Sequence, residues 1–571
     1  MKKYAAVLLA LLVSCLPFAG CAQSDVDTDT QSVTQSVSQA ESDSVQEVSS
    51  AVSEVSDDKE YFSNSDLRSV ESEEPNAAIT LSGSEGTISD TTRGTSGSEV
   101  EIRSKGIYKI TGESSGVTIV VNDDNESGTI YLLLDNVTMT NSEEPCIYVE
   151  ACDKVVIQCM GENSLTCSAE ENSDGLDGAV YSQDDLTING SGSLEITSGM
   201  HGIVCKDDLR FTGGSVSVTA DKIGIKAGDS VCLASAQVDI DSYRDGIHVE
   251  NSSGDSFYYS EASKVTINAD YDGIAVGTTG STFTGSVNIV SGTTEIVSGG
   301  GSDNSKGDTS QKGIKCEGDI TIGKSESDDL TLNVSGADDA VNSKGSVYIN
   351  GGSISLSTSD DGVSAYSAIE INGGTIDITK SYEGLEAGDI TVNGGDISIN
   401  SSDDGMNTAG GSDNDNADDE FAKTENGTLT INDGYLYVNS SGDGLDSNGS
   451  IYVNGGTVII EGPADNGNGA LDKGDSDGCV LSINGGTVLA LGSAAKAKNF
   501  DSGEQCSAIL TLSGSSGTKI TISDGFEFTA AKKFDCIVYS SPNLEQGKKY
   551  TASVGESKAE ISFENGLYYE G

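Results

Sequence analysis

From about Gly106 to Leu491 the chain repeats one arrangement of apolar and polar positions. Short runs in which every second residue is Val, Ile or Leu are separated by glycine, asparagine and aspartate, the period of a strand with one buried face. The segment from Asp361 shows the unit. Val363 and Ala365 are placed inward with Ser364 outward, Ile369-Glu370-Ile371 alternates in the same sense, and Ile376-Asp377-Ile378 does so again after a glycine turn. Each unit therefore predicts three short strands joined by tight turns.

The turns keep a phase. Asn350-Gly351-Gly352, Asn372-Gly373-Gly374, Asn393-Gly394-Gly395, Asn432-Asp433-Gly434, Asn454-Gly455-Gly456 and Asn484-Gly485-Gly486 recur at spacings of 22, 21, 39, 22 and 30, the long gaps being single units with insertions. A second marker, an acid before a small residue, keeps the same phase at Asp339-Ala340, Asp361-Gly362, Glu383-Gly384, Asp404-Gly405 and Asp443-Gly444. Asp174-Gly175, Asp245-Gly246 and Asp272-Gly273 continue it upstream, less regularly. A unit of about 22 residues with three strands is one coil of a parallel β-helix. Alignment of coils puts Val363, Leu385, Met406 and Leu445 in one inward column and Ile371, Val392, Ile431 and Val453 in another. The expected fold is all-β: a right-handed parallel β-helix of about fifteen coils, with an irregular N-terminal β cap and a C-terminal β cap. A string of sandwich domains would space its turns without this fixed phase.

The ends of the chain read differently. Met1-Lys2-Lys3 followed by the apolar run Tyr4 to Phe18 is too short to span a bilayer and predicts a signal peptide. Phe18-Ala19-Gly20-Cys21 resembles a lipobox, which makes Cys21 the expected lipidation site; Cys15 fits the pattern too, but leaves a shorter apolar segment. The expected location is the outer face of the bacterial cell membrane, with the membrane touched only through the lipid. Residues 22–75 are Ser, Asp, Glu, Gln, Thr and Val without apolar period, and predict a disordered tether; a coiled coil on Val33, Val37, Val45 and Val48 lacks the necessary Leu and Ile. The division is then 1–21 signal peptide, 22–75 tether, 76–170 cap and first coils, 171–500 regular helix and 501–571 cap.

Composition narrows the chemistry. With 91 acidic against 31 basic residues and a formal charge of −60, nucleic acid and anionic membrane surfaces are excluded as direct partners, and any anionic ligand needs a cation between it and this surface. Outside the signal region ten cysteines show no metal-ligand spacing. Cys205 and Cys232 read as small buried apolar residues, whereas Cys146, Cys152, Cys159 and Cys167 are close enough for one or two disulfides or for none.

Ser441-Gly442-Asp443-Gly444-Leu445-Asp446-Ser447-Asn448-Gly449-Ser450-Ile451-Tyr452, followed by Gly467-Asn468-Gly469-Ala470-Leu471-Asp472, resembles the bacterial carbohydrate-binding domain family of parallel β-helix surface proteins. The loop Ala409-Gly410-Gly411-Ser412-Asp413 has the same look, and the resemblance runs from about Ile79 to Tyr550. It implies a pectate-lyase-like fold, bound calcium, and binding of cellulose or pectin-type polygalacturonate.

Calcium also follows from the residues. An Asp repeated at one place in each coil lands about 4.8 Å from its neighbour, and stacked carboxylates repel unless a cation lies between them. Asp338, Asp339, Asp360, Asp361, Asp403 and Asp404 form such a column, with Asp443 and Asp446 beyond it. The outward position three residues after the marker adds Asp177, Asn342, Ser364, Glu386, Asn407 and Asp446. The loop Asp413 to Glu420 is a separate candidate, without the glycine of an EF-hand. Aspartate suits such turns without any metal, so each acid alone also reads as a turn residue.

For sugar contact, Tyr243, Tyr271, Tyr366 and Tyr382 lie near the Asp-Gly edge, and stacking would set some of them in a row. Lys226, His248 and Lys315 take the outward place of the same strand, where they can meet a uronate carboxylate. A lyase would need a cation and a strong base; within the regular coils only Arg210 and Arg244 offer one as arginine, and His201 and His248 have no nucleophile beside them. The reading is a non-catalytic, calcium-dependent polysaccharide binder, expected as a monomer, with a lyase and a passive stalk or adhesin as alternatives.

Overall fold

The computed structural model describes residues 61–123, 128–169, 175–282, 284–325, 329–408, 427–464, 467–564 and 566–571. The expected signal peptide, Cys15, Cys21, tether residues 22–60, Asp174 and both loops between 409 and 420 lie outside them. Among the described residues there are strands and turns but no α-helix, and the strands stack mostly in parallel into one long array. Each coil contributes three strands, which we call the first, second and third sheets after their order within a coil.

In the first sheet Ile203, Ile225, Ile247, Ile274, Ile314, Val341, Val363, Leu385, Met406, Leu445 and Leu471 stand in register. In the second sheet Ile349, Ile371, Val392, Ile431, Val453 and Ile483 do so. In the third, Ile354, Ile376, Ile397, Leu436, Val458 and Val488 form the column. All are buried in one continuous core, so both columns read from the repeat are the observed ones. Burying β-branched and leucine side chains rung on rung is what drives stacking, since a single coil has nowhere else to bury its inner face.

The two turn markers have separate physical causes. The third residue of the Asn-Gly-Gly turn lies at φ +97° in Gly352, +96° in Gly374 and +98° in Gly395 and Gly434, a region that favours glycine. The second position carries no such demand, and Asp433 replaces glycine there. The asparagines form an external ladder: Asn372 donates to Asn350 at 2.9 Å, and Asn393, Asn432, Asn454 and Asn484 each donate to the preceding one at 2.8 Å. After the marker acid the small residue is dictated by packing. A Cβ on Gly405 would meet Val438 Cγ1 at 2.2 Å and the Gly444 carbonyl oxygen at 2.5 Å.

Both ends are covered. Parallel stacking begins before Gly106, since Ala77–Gly83 already pairs with Gly106–Ser115 and folds back on Glu85–Ile88 as a hairpin. At the other end Thr487–Gly492 pairs antiparallel with Cys536–Ser540, and Glu527–Thr529, Lys519–Ile522, Lys549–Val554 and Ser557–Ser562 form a small antiparallel sheet over a second apolar cluster. These elements close the exposed edges that a solenoid otherwise presents.

One expectation is corrected. Residues 61–75, assigned to the tether, form a strap across the outer face of the second sheet. Tyr61 stacks on Tyr259 with ring centroids 3.8 Å apart, and Arg210 donates to the Tyr61 carbonyl at 2.8 Å. Asp66 is 1% exposed, accepts from Lys154 at 3.0 Å, and its carbonyl accepts from Asn189 at 2.8 Å. Val70 N–H donates to Gln158 at 2.6 Å. These contacts are largely polar, so no apolar period announces them.

The ten described cysteines are free thiols, nine of them buried, and burial pushes the Cys146, Cys152, Cys159 and Cys316 thiols up to about 12. They serve as small apolar residues, and the disulfide alternative is not the one the structure takes.

Candidate functional site

The marker acids build a ladder along the edge between the third and first sheets. The aspartates among them accept the backbone N–H of the marker residue in the next coil: Asp245 from Asp272 at 3.2 Å, Asp272 from Lys312 at 2.8 Å, Asp339 from Asp361 at 3.1 Å, Asp361 from Glu383 at 3.2 Å and Asp404 from Asp443 at 2.6 Å. Asp443 does the same for Gly469. Part of the aspartate column is thus explained by the turn itself, because the side chain satisfies an amide that turning leaves without a strand partner.

What the ladder leaves unresolved is charge. Burial first, then Asp339 and Glu383, push the Asp361 carboxyl well above its ordinary range. Burial followed by Glu386 and Asp404 pushes Glu383 up to about 9, and burial followed by Asp446 pushes Asp404 up to about 8. Asp446 rises to about 7 through burial, Asp443 and Asp472. Such a strip of carboxylates is costly unless protons or a cation neutralise it.

The expected calcium ligands separate into two groups. Carboxylate oxygens of Asp338, Asp339 and Asp360 lie within 4.8 Å of one another, and lysines already reach them. Lys312 Nζ is 3.1 Å from Asp338 and 2.7 Å from Asp339, and Lys306 Nζ is 3.3 Å from Asp338 and 3.0 Å from Asp360. Although burial acts in the opposite sense, the two ammoniums hold the Asp338 carboxyl below its ordinary value. Lysine supplies the cation here. Lys312 occupies the marker position of its own coil, and Lys306 comes from the insertion before it.

The second group is Asp404, Asp443 and Asp446, again with oxygens within 4.8 Å. Asn407 and Asp446 are register neighbours, as are Glu386 and Asn407. Asn407 is 9% exposed, and its Oδ1, like Glu383 Oε2, is buried without a hydrogen-bond partner. Converging hard oxygens beside buried orphaned acceptors are groups that a Ca²⁺ ion would take as ligands. Glu383 and Asn407 neighbour this group, and the phase of the markers already placed both on this flank. Asp361 and Asp403 lie between the groups. Asp361 is buried in the ladder, while Asp403 receives a hydrogen bond from the Tyr382 hydroxyl, which with burial raises the phenol's pKa.

The tyrosines do not form a row. Tyr271 and Tyr382 share the place before the marker acid but are several coils apart, Tyr243 is one position earlier, and Tyr366 sits in an irregularity at the first-to-second sheet turn. Tyr243, Tyr366 and Tyr382 are exposed, so each offers a separate contact. Asp177 also leaves its expected column, because its strand is shifted in register, and it pairs with His201 at 3.3 Å. Ser364 and Asn342 do take the outward position, yet both are buried.

Lys226, His248 and Lys315 do share one outward column, with Ala275 between His248 and Lys315. His248 Nδ1 is 2.7 Å from Asp245 and its Nε2 is 3.4 Å from Glu250; Lys315 Nζ is 4.0 Å from Asp272. The gap at Ala275 opens a hollow of about 260 Å³ lined by His248, Glu250, Asp272, Lys315 and Glu317. A third acidic group, Asp185, Asp207 and Asp208, was not anticipated, although the pairs Asp184-Asp185 and Asp207-Asp208 stand at one phase. Lys154 lies 3.3 Å from Asp185 and Arg210 lies 2.9 Å from Asp208.

A family profile described as carbohydrate-binding domain-containing protein matches residues 96–362 and 357–405. The chain belongs to this family. A carbohydrate-binding domain-containing protein of Acetivibrio thermocellus is 34% identical over 130 residues, which are 21% of this chain and 45% of that relative. The chain thus spans less than half the length of the curated relative it matches. A solved structure titled a polysaccharide lyase-like protein from C. thermocellum, gadolinium derivative, is 23% identical with a TM-score of 0.32, covering 57% of this chain and 97% of that one. Along the first sheet of this member of the carbohydrate-binding domain family, the lysine and histidine column lies in earlier coils and the Asp404, Asp443 and Asp446 group in later ones.

Proposed function

We propose that this protein is a calcium-dependent, non-catalytic binder of plant cell-wall polysaccharide, cellulose or polygalacturonate, held at the outer face of the bacterial membrane through Cys21. The observation that carries the calcium reading is the Asp404, Asp443 and Asp446 group beside the buried, unpartnered oxygens of Asn407 and Glu383. A cation there would neutralise the strip and lend a sugar carboxylate a counter-charge that the protein surface lacks. Asp404 and Asp443 hold the turn amides with one oxygen and direct the rest of the carboxylate to the flank. Tyr382 and Tyr366 offer exposed ring faces for a neutral glucan.

Of the two arginines that could act as a lyase base, Arg244 stays exposed beside the Asp245-Gly246 turn, and Arg210 does not. It is buried and spent on Tyr61, Ser230 and Asp208, which removes it as a base. Pull-down on insoluble cellulose and on pectin, with calcium and with chelator, tests the reading together with absorbance for unsaturated products. Retention without new absorbance supports a binder, whereas absorbance growth with polygalacturonate overturns it.

A further inference from the structure

Two lysines stand apart from the balanced charges of the first sheet. Strands His201–Cys205, Ile225–Ala227 and Ile247–Val249 are consecutive rungs, and the residues that follow them are Lys206, Gly228 and Glu250. Glycine is enforced at 228, where a Cβ would lie 2.1 Å from the Lys206 carbonyl oxygen. The missing side chain opens a hollow of about 270 Å³ lined by Val204, Lys206, Lys226, Ala227, Gly228 and Glu250. Lys226 is half-buried and Lys206 exposed, and among the described residues neither forms a salt bridge. Lys206 Nζ lies only over the Tyr181 ring, 5.4 Å from its centroid.

The carboxylates nearby are already engaged. Asp177, whose charge both lysines feel, pairs with His201; Glu250 is met by His248 Nε2 at 3.4 Å; and Asn251 donates to Asp229 at 2.6 Å. The hollow therefore sets two ammoniums beside one lining carboxylate, Glu250, in a chain whose formal charge is −60. Its volume is just under the about 300 Å³ at which small-molecule pockets begin, suited to one ring rather than a chain. Two cations against one carboxylate leave a single positive charge, which a monoanion balances.

We propose that the hollow between Lys206 and Lys226 is a subsite that takes the carboxylate of one acidic sugar unit directly, without a bridging metal. The proposal rests on the carbohydrate-binding reading but not on its calcium. One face of the helix then carries two kinds of recognition: a lysine subsite in the N-terminal half, and in the C-terminal half the acidic strip.

The test is titration calorimetry of the full chain in chelator with trigalacturonate, its neutral methyl ester, and sodium sulfate as competitor. The acidic trimer is expected to bind, and to lose about tenfold in affinity on esterification and in each of Lys206→Met and Lys226→Met, which keep the apolar stem. Melting curves coincident with the parent establish that these variants fold. Equal affinity for acid and ester, unchanged binding in both lysine variants, or displacement by sulfate as effective as by the trimer overturns the subsite. Binding that needs calcium and ignores the lysines sinks this inference and leaves the calcium reading standing; lysine-dependent binding with no response to calcium does the reverse.

Discussion

The Asn407 side-chain amide donates to Glu383 Oε1 at 3.2 Å from the next coil, and the bond leaves Asn407 Oδ1 and Glu383 Oε2 both buried and both without a hydrogen donor. Two acceptors facing a strip of carboxylates are a poor arrangement for an empty protein and a good one for a cation.

Chelation should lower the melting temperature, calcium should restore it and magnesium should restore it poorly, because a ligand bound by the folded state alone stabilises it by mass action and magnesium dehydrates reluctantly. At a free calcium concentration one hundred times the dissociation constant the gain is about 2.7 kcal/mol. Differential scanning calorimetry in chelator, calcium and magnesium reads this out; coincident curves would remove the metal.

The two acidic groups should behave oppositely. Asp404→Asn with Asp443→Asn should abolish the calcium response and calcium-dependent pectin retention, and should raise metal-free stability by removing repelling charges. Asp338→Asn with Asp360→Asn should leave the calcium response intact and cost about 1–3 kcal/mol, since Lys306 loses both its partners and Lys312 keeps only Asp339. Pectin pull-down beside chemical denaturation distinguishes the pairs, and identical calcium titrations for both would refute the division.

Tyr366→Ala and Tyr382→Ala should each weaken binding to insoluble glucan modestly, and the double variant should show the sum to within about 0.5 kcal/mol, because the two rings do not stack in one row. Cooperative loss in the double variant would show that one ligand chain bridges them tightly.

Acid should loosen the strap. Burial raises the Asp66 pKa, but hydrogen bonds from Thr187, Ser63 and Lys154 outweigh it and hold the carboxyl below its ordinary value. A group whose folded pKa is depressed contributes stability that is present above its unfolded value and lost as pH falls through the folded one. Limited proteolysis should therefore begin to cut residues 61–75 only below about pH 4, and Asp66→Asn should make the segment sensitive at neutral pH, with a loss of about 2 kcal/mol. Cleavage that does not vary with pH would mean that Asp66 does not hold the strap.

The sequence by itself determined the solenoid. Alternation with period two, a turn that requires glycine at positive φ, and a fixed phase over many units leave one way to bury Val363, Leu385, Met406 and Leu445 together, because each coil repeats the same local problem. The acidic flank was legible for the same reason: one position per coil becomes one line in space. Tertiary structure decided what breaks the repeat. Lys306 and Lys312 reach the Asp338 group from an insertion and from a marker position, and the strap finds Lys154, Thr187 and Asn189 through polar contacts with no period. Tyr366 and Tyr382 part because the irregular turn after Ala365 carries Tyr366 to another edge. Periodicity encodes what every coil shares; a charge pair or a hollow between coils depends on which irregular residues meet, and only the folded chain brings those together.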